Sequence, residues 1–288
     1  MCLLMTKQQA ENEIILETTE VFLGGVPVKS SKRRRFIVDT GSNVTIVHVP
    51  NAVDKYRGRG KQKTITFHNK THPYHKAIDL SVRIKTGENN NNNNFCLKGY
   101  ASVLDIYKAI PRFPSNQMGI IGTNLLEGRM IKVCEGGRVC IVKKNSKLNG
   151  FFELEGVVGC DKYSDHVGLG PLLTVKVEKN LFLVDTGNLR STFCIKRKRP
   201  GIRERGQRCI AKLSLKNNPQ RTFQVMGDYL GWEPISLVTI KCPGKRSPNG
   251  NLGIDVWAGG VFRETVFDFG STVQMDGRPV YRIFCRPY

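Results

Sequence analysis

The chain has 288 residues, of which 40% are hydrophobic, and its 45 Lys and Arg against 24 Asp and Glu give a formal net charge of +21. This hydrophobic content excludes a chain that is disordered by composition, and the length allows two domains of roughly 100 to 150 residues. Apolar runs are shorter than the roughly 20 residues of a membrane-spanning helix, and the opening residues are too quickly polar for a signal peptide. We therefore expect no membrane span and favour an intracellular location, or secretion if a leader has been removed.

Short apolar runs follow one another along the chain, separated by Gly, Asn and Pro, whereas the periodicity of long helices is scarce. Such runs of four to eight residues, rich in Val, Ile, Leu and Phe, are typical of strands. In chain order they are "EVFLGGVPV", "RFIVDT", "KTITFH", "IDLSVRI", "GIIGTNLL", "RMIKV", "RVCIV", "LLTVKV", "LFLVDT", "ETVFDFG" and "YRIFC". We predict a mainly β fold in which the asparagine run at 89–94 is a hairpin loop.

The order of these elements repeats. In the first half a strand leads to Asp39 and the segment "GIIG" (119–122) follows; in the second half a strand leads to Asp185 and "VWAGG" (256–260) follows. The chain therefore reads as two copies of one design. We predict an N-terminal extension, an N-terminal lobe, an interlobe connection and a C-terminal lobe, at 1–12, 13–145, 146–170 and 171–288.

Each half carries an Asp-Thr-Gly turn at the end of an apolar strand, in "VDTGS" (38–42) and "VDTGN" (184–188). One such turn alone is most often structural, whereas two in matching contexts favour a shared site. A two-fold relation between the halves brings Asp39 and Asp185 face to face. Gly41 and Gly187 then supply the backbone freedom of the turns.

Paired carboxylates of this kind suit acid–base chemistry. Two carboxyl groups in close proximity cannot both ionise cheaply, so they share a proton. The ionised member can deprotonate a water that attacks a peptide carbonyl, while the protonated member hydrogen-bonds the oxyanion. We expect Thr40 and Thr186 to hydrogen-bond across the two-fold axis and to keep both turns rigid.

These motifs, together with "MGIIGTNLL" (118–126) and "WAGGVFRETVFDFG" (257–270), resemble the bilobal, pepsin-like aspartic endopeptidases from about residue 13 to the C-terminus. Each half is also similar to the half-size, dimeric retroviral proteases. The resemblance implies two β-barrel-like lobes related by a pseudo-two-fold axis, with the active site between them. It implies a polypeptide substrate and no metal or cofactor. Since both halves are on one chain, no dimer is required.

The resemblance also implies a β-hairpin flap over the substrate, with an aromatic residue near its tip. The segment 63–84 matches this hairpin, with Phe67 at the aromatic position and Tyr74 as the alternative occupant. Among the supporting residues, Ser42 follows the first turn and Asn188 the second, where the family has a small hydroxyl residue. The second half also has "WAGG" where the first has "GIIG", and the tryptophan common after the first turn is absent.

Two other functional classes are compatible with the sequence. Asn188 and the irregular second half favour a catalytically inactive, pepsin-fold binding or inhibitor protein. The basic clusters at 29–35, 55–63 and 196–208 favour nonspecific contact with polyanions. The cluster at 196–208 contains no aromatic residue, so it lacks the stacking platform of a single-strand nucleic-acid binder.

Histidine and cysteine spacings give no metal site. His68, His72 and His75 are close in sequence, but they lie in the predicted flap with no nearby Cys or Asp before position 79. The nine cysteines form no CxxC pair. Cys134 and Cys140 flank a Gly-Gly turn that either brings the two sulfurs together or leaves two ordinary strand cysteines.

Overall fold

The computed structural model describes residues 14–28, 35–51, 61–67, 70–85, 94–110, 113–144, 146–160, 169–193, 206–229 and 248–288, with the backbone alone at 61–67, 70–73, 75–77, 85 and 94. Strands dominate this part of the chain, which confirms the predicted mainly β fold. Its α-helices are the single turns α1 (Ile106–Ala109), α2 (Thr123–Leu126) and α3 (Ile254–Trp257). Within these residues, no helix has the length and apolar character to cross a membrane.

The first half forms a curled sheet of nine strands, a half-barrel, in the order β1-β4-β9-β5-β8-β7-β2-β3, with β6 paired to β7. Strands β4 and β9 run parallel, with Val38 opposite Ile121. The bounds are β1 Ile15–Glu17, β2 Glu20–Leu23, β3 Val26–Pro27, β4 Arg35–Val38, β5 Thr45–His48, β6 Lys61–Phe67, β7 Lys70–Lys85, β8 Asn94–Leu104 and β9 Gln117–Ile121.

The second half forms a closed six-stranded barrel, β14-β15-β19-β16-β18-β17, with β13 added at β14. The barrel closes because β14 also pairs with β17, where Val177 lies opposite Leu213. The bounds are β13 Val158–Cys160, β14 Leu172–Val177, β15 Asn180–Val184, β16 Thr192–Phe193, β17 Arg208–Leu215, β18 Asn218–Tyr229 and β19 Gly250–Leu252.

A third sheet takes strands from both halves, in the order β11-β10-β20-β21-β12. Strand β10 of the first half pairs antiparallel with β20 of the second, with Ile131 opposite Phe267. This sheet therefore joins the two halves by backbone hydrogen bonds. Its bounds are β10 Met130–Cys134, β11 Val139–Val142, β12 Phe152–Glu153, β20 Phe262–Val273 and β21 Pro279–Pro287.

The core holds the first aspartate strand from both sides. Phe36 and Val38 point into the largest apolar cluster, which includes residues of all three sheets. Ile37, between them, points into a second cluster on the other face. A strand that is buried on both faces reads as a continuous apolar run, which explains "RFIV". Burial of each such side chain stabilises the fold by roughly 1.5–3 kcal/mol, so the position of the following aspartate is firmly held.

The repeat of elements is present, but one predicted correspondence is wrong. The strand that runs parallel to β15 is β19, with Val184 opposite Leu252, and Gly253 follows as the cap of α3. The counterpart of "GIIG" is therefore "GNLG" at 250–253, whereas "VWAGG" (256–260) covers the end of α3 and the turn after it. The sequence misled because Asn251 interrupts the apolar pattern that a strand beside Asp185 was expected to show.

The hairpin between Cys134 and Cys140 is present. Strands β10 and β11 flank a 3₁₀ turn at Glu135–Gly137, in which Gly136 has a φ of +77°. Both cysteines are free thiols, and their side chains are hydrogen-bonded to each other. Of the two alternatives that the sequence left open, the structure therefore favours the one with adjacent sulfurs.

Candidate active site

Both Asp-Thr-Gly turns are fixed by the strand that runs parallel to the aspartate strand. The backbone N–H of Asp39 donates to Ile121 O at 3.0 Å, and that of Asp185 donates to Leu252 O at 3.0 Å. Because each half has the same contact, the two aspartates occupy equivalent positions at the ends of their strands. The turns thus emerge from a parallel strand pair at the same height in each half.

Thr40 and Thr186 join the two turns across the two-fold axis. The backbone N–H of Thr40 donates to Thr186 Oγ1 at 3.0 Å, and that of Thr186 donates to Thr40 Oγ1 at 3.0 Å. Each hydroxyl donates in turn to the opposite strand, from Thr40 to Val184 O at 2.8 Å and from Thr186 to Val38 O at 2.7 Å. The predicted hydrogen bonds across the axis are therefore present, and both hydroxyls are buried.

Each glycine of the turns faces the carboxyl group of the opposite aspartate. A Cβ atom at Gly41 would lie 2.5 Å from Cγ and Oδ1 of Asp185, and a Cβ atom at Gly187 would lie 2.5 Å from both carboxyl oxygens of Asp39. These separations are too short for any side chain. The glycines are therefore required by close approach between the halves. The special backbone conformation expected from the sequence is not the reason, because neither Gly41 nor Gly187 has a positive φ.

Asp39 and Asp185 are the two carboxyl groups at the centre of this arrangement, with exposures of 1% and 6%. Their side chains are hydrogen-bonded to each other, so one of them carries the proton. Burial, followed by the charge of Asp185 and the hydrogen bond to it, raises the pKa of Asp39 well above its usual value. Burial also raises the pKa of Asp185, against hydrogen bonds from its neighbours. The pair therefore has the geometry of a shared-proton dyad.

The four carboxyl oxygens of the dyad differ in the protein groups that donate to them. Asp39 Oδ1 accepts a hydrogen bond from the backbone N–H of Gly41 at 2.9 Å, and Asp185 Oδ2 accepts one from Asn251 Nδ2 at 3.0 Å. Asp39 Oδ2 and Asp185 Oδ1 are buried as well, and within the described residues no group outside the dyad donates a hydrogen bond to either atom. Carboxyl oxygens in this position are free to accept a hydrogen bond from a water or a substrate group.

The residues Ser42 and Asn188 support the turns through their backbones. Ser42 O accepts the N–H of Thr123 at 2.8 Å, and Asn188 O accepts the N–H of Ile254 at 2.8 Å. Each contact ties the start of a helical turn, α2 or α3, to the end of an aspartate turn. Since the carbonyl group provides this contact, Asn188 serves it as well as the hydroxyl residue that the family resemblance implied.

A second layer of polar residues, which the sequence analysis missed, supports the first half. Thr45 lies six residues after Asp39, and its hydroxyl accepts the N–H of Gly122 at 3.0 Å and donates to Asn124 Oδ1 at 2.8 Å. Asn124 Nδ2 donates to Tyr100 O at 2.7 Å. This chain of contacts fixes the start of α2 behind the turn.

The second half repeats this layer. Ser191 lies six residues after Asp185, and its hydroxyl accepts the N–H of Gly253 at 2.9 Å and donates to Asp255 Oδ1 at 2.7 Å. Its backbone N–H donates to Asp255 Oδ2 at 2.9 Å. The shared spacing of a hydroxyl residue six positions after each aspartate was the signal that could have revealed both layers.

The predicted flap is a β-hairpin formed by β6 and β7. Phe67 ends β6 and its backbone pairs with Lys70, so it lies beside the turn, whereas Tyr74 pairs with Lys63, farther from the turn. The Tyr74 ring is partly buried against the second apolar cluster, and this burial raises its pKa. These positions favour Phe67 over Tyr74 as the residue near the tip. His68 lies outside the described residues.

Other sequence-based predictions concern residues that the structure does not describe. Three features named from the sequence lie outside the described residues. They are the extension at 1–12, the asparagine run at 89–93, and most of each basic cluster, at 29–34, 55–60 and 196–205. Within the described part of the chain, no group of three or more His, Cys, Asp or Glu side chains has the arrangement of a metal site.

Comparison of the sequence with protein-family models and with curated proteins gives no significant match.

Proposed function

We propose that this chain is an aspartic endopeptidase, which hydrolyses peptide bonds with a water activated between Asp39 and Asp185. The observation that carries the proposal is the pairing of two buried, mutually hydrogen-bonded carboxyl groups on turns that Thr40 and Thr186 tie together. Burial of two carboxyl groups with raised pKa values is costly for stability, and such groups are concentrated at functional sites.

The chemistry follows from one proton shared by two carboxyl groups. The ionised carboxylate takes a proton from the water as the water oxygen bonds to the peptide carbonyl carbon, and the protonated carboxyl group gives its proton to the carbonyl oxygen. In the neutral gem-diol that results, the C–N bond then breaks. The amine nitrogen takes the proton from the first carboxyl group, and a gem-diol hydroxyl returns a proton to the second. The products are a carboxylic acid and an amine, and the dyad regains its starting state.

We also propose that the architecture is that of the pepsin-like enzymes, with lobes at 13–145 and 171–288 and a connection at 146–170. Two features support this proposal: the turns of the two halves are related residue by residue, and the sheet β11-β10-β20-β21-β12 takes strands from both. In this arrangement both aspartates come from one chain, so a monomer is sufficient for activity.

The proposal is tested by digestion of an unstructured polypeptide with the purified chain, in parallel with the variants Asp39→Asn and Asp185→Asn. Cleavage by the unmodified chain, loss of cleavage in both variants and inhibition by a statine-type peptide are expected, because each change removes one member of the acid–base pair. Binding of the statine-type peptide without any cleavage would instead identify an inactive, pepsin-fold binding protein. Equal cleavage by the variants would exclude the dyad as the catalyst.

A further inference from the structure

One pair of facing positions differs in polarity between the two halves of the site. In the first half, β5 and β9 place Ile46 opposite Ile120, and both side chains are buried in the second apolar cluster. At the corresponding positions of the second half, β16 and β19 place Thr192 opposite Asn251. A polar pair therefore replaces an apolar pair beside one aspartate and not beside the other.

Thr192 fixes the orientation of the Asn251 amide. The backbone N–H of Thr192 donates to Asn251 Oδ1 at 3.1 Å, and its hydroxyl donates to the same atom at 2.5 Å. Since a backbone N–H can only donate, the atom that faces it must be the amide oxygen, and the NH₂ group must point the other way. That NH₂ group donates to Asp185 Oδ2 at 3.0 Å, and Asn251 is 5% exposed.

An amide NH₂ group distinguishes between the two states of a carboxyl group. It can only donate, so its hydrogen bond stabilises an ionised Asp185 more than a protonated one. Ile120, at the corresponding position beside Asp39, has no donor to offer. The donors that reach Asp39 are the backbone N–H groups of Gly41 and Gly187, whereas Asp185 accepts the side-chain amide of Asn251 as well as the N–H of Gly187. The surroundings of the dyad are therefore asymmetric, although the backbone of the two turns is nearly symmetric.

The charged groups around the dyad do not oppose this asymmetry. In the described part of the chain, the titratable group that acts on each aspartate is the other aspartate. Asp255, on α3 of the second half, is held by the N–H and hydroxyl of Ser191. The pKa shifts have the same asymmetry. Burial raises the pKa of both aspartates, and the charge of Asp185 raises the pKa of Asp39 further. The Asn251 amide, by contrast, lowers the pKa of Asp185.

We propose that Asn251 is a positioning residue that assigns the two roles within the dyad. Asp185 is the ionised member, which takes the proton of the attacking water, and Asp39 is the protonated member, which donates to the carbonyl oxygen of the substrate. The catalytic roles rest on the proposed function. The position of the shared proton does not, because it follows from hydrogen bonds within the free protein.

The position of the proton is measured by titration of the carboxyl carbons of Asp39 and Asp185 by NMR in protein labelled with ¹³C at aspartate, with signals assigned from Asp39→Asn and Asp185→Asn. In the unmodified chain, Asp185 is expected to ionise at a lower pH than Asp39. In Asn251→Leu the midpoint of Asp185 is expected to rise by about one pH unit or more, because its donor is lost. Asn218→Leu, the same change at the exposed start of β18, leaves both midpoints in place.

A second variant guards against a failure of Asn251→Leu to fold. Asn251→Asp keeps an oxygen for Thr192 and replaces the donor to Asp185 with an acceptor, so the Asp185 midpoint is again expected to rise. An unchanged Asp185 midpoint in the folded variants, or an Asp39 that ionises first in the unmodified chain, would overturn the proposal.

The pH profile of kcat/KM separates this inference from the proposed function. If the chain cleaves peptides, the acid limb of its profile is expected to move to higher pH in Asn251→Leu, as the Asp185 midpoint does. Cleavage that depends on both aspartates, together with an unmoved acid limb and unmoved midpoints, refutes the role of Asn251 and leaves the proposed function standing. Moved midpoints in a chain that cleaves nothing support the proton position and refute the proposed function.

Discussion

Thr40 and Thr186 each receive the backbone N–H of the other and each donate to the strand that precedes the other. Each hydroxyl is thus used once as acceptor and once as donor, entirely within the protein. The separation of the two carboxyl groups depends on these contacts, because they join one turn directly to the other.

Replacement of either threonine by valine is expected to destabilise the chain. Thr186→Val keeps the shape of the side chain but leaves the N–H of Thr40 without an acceptor in a buried position, which costs about 1–3 kcal/mol of unfolding free energy. Urea denaturation of the variant measures this loss. Thr222→Val, on the exposed outer face of β18, is the matched control and is expected to change the unfolding free energy by less than about 0.5 kcal/mol. Equal effects at the two positions would contradict the structural role of Thr186.

Substitution of Gly187 by alanine is expected to separate the dyad. The new methyl group would overlap the carboxyl group of Asp39, so the turn has to move and peptide hydrolysis is lost. Gly277→Ala is the control for a methyl group added away from the dyad: Gly277 has no neighbour around the added group, and its φ of +80° adds a backbone strain that Gly187 does not have. The measurement is the rate of peptide hydrolysis by each variant. Retention of activity in Gly187→Ala would mean that the glycine is not in contact with the dyad.

Asp39 is expected to make the folded chain less stable as the pH rises. Its folded pKa lies above the unfolded value of about 4, so between the two values the folded state holds a proton that the unfolded state has lost. Stability that is present below the unfolded pKa is then lost as the pH rises, by up to about 1.4 kcal/mol per pH unit. Asp39→Asn removes this loss.

Unfolding free energies of the unmodified chain and of Asp39→Asn, measured at pH 4 and pH 7, test this sign. The variant is expected to gain stability relative to the unmodified chain at pH 7 and to lose that advantage at pH 4. Comparison of the two proteins at each pH cancels the effect of the high net charge. An advantage that grows towards low pH would contradict the raised pKa.

Replacement of Phe67 by alanine and replacement of Tyr74 by alanine are expected to have different effects. Phe67 lies beside the hairpin turn, so its loss lowers kcat/KM with little change in stability. Tyr74 packs on the second apolar cluster, so its loss lowers the unfolding free energy. Kinetics and thermal unfolding of both variants distinguish these outcomes, and a larger kinetic loss in Tyr74→Ala would assign the substrate contact to Tyr74.

The sequence was sufficient for the parts of the site that repeat. Two Asp-Thr-Gly turns after apolar strands predicted the approach of Asp39 and Asp185 and the contact between the threonines. The sequence was insufficient where the halves differ. Asn251 interrupts the apolar pattern of β19, so the counterpart of "GIIG" was predicted at 256–260 instead of 250–253. The bonds of Ser191 to Asp255 and of Thr45 to Asn124 join residues that are far apart in sequence. The spacing of six residues after each aspartate marks the hydroxyl residue of each bond, but no local pattern marks its partner.

The fold was predictable at the level of class and not of connectivity. Short apolar runs indicate strands, but closure of the second sheet depends on the pairing of β14 with β17, in which Val177 lies opposite Leu213. These two residues lie in unrelated apolar runs. Likewise, the pairing of Ile131 with Phe267 brings together strands from opposite halves. Such long-range pairings are set by packing of the whole chain, and a local pattern does not contain them.

The catalytic claim is tested most directly by the initial rate of peptide cleavage in three variants with the same chemical change. Asp39→Asn and Asp185→Asn are expected to lose about 10²–10⁴-fold in rate or more, because each lacks one carboxyl group of the dyad. Asp276→Asn is the matched control: Asp276 lies in the exposed turn between β20 and β21, where its carboxylate accepts the backbone N–H of Arg278. We expect this variant to retain most of its activity. Equal loss in all three variants, or cleavage that survives in Asp39→Asn or Asp185→Asn, would contradict catalysis by the dyad.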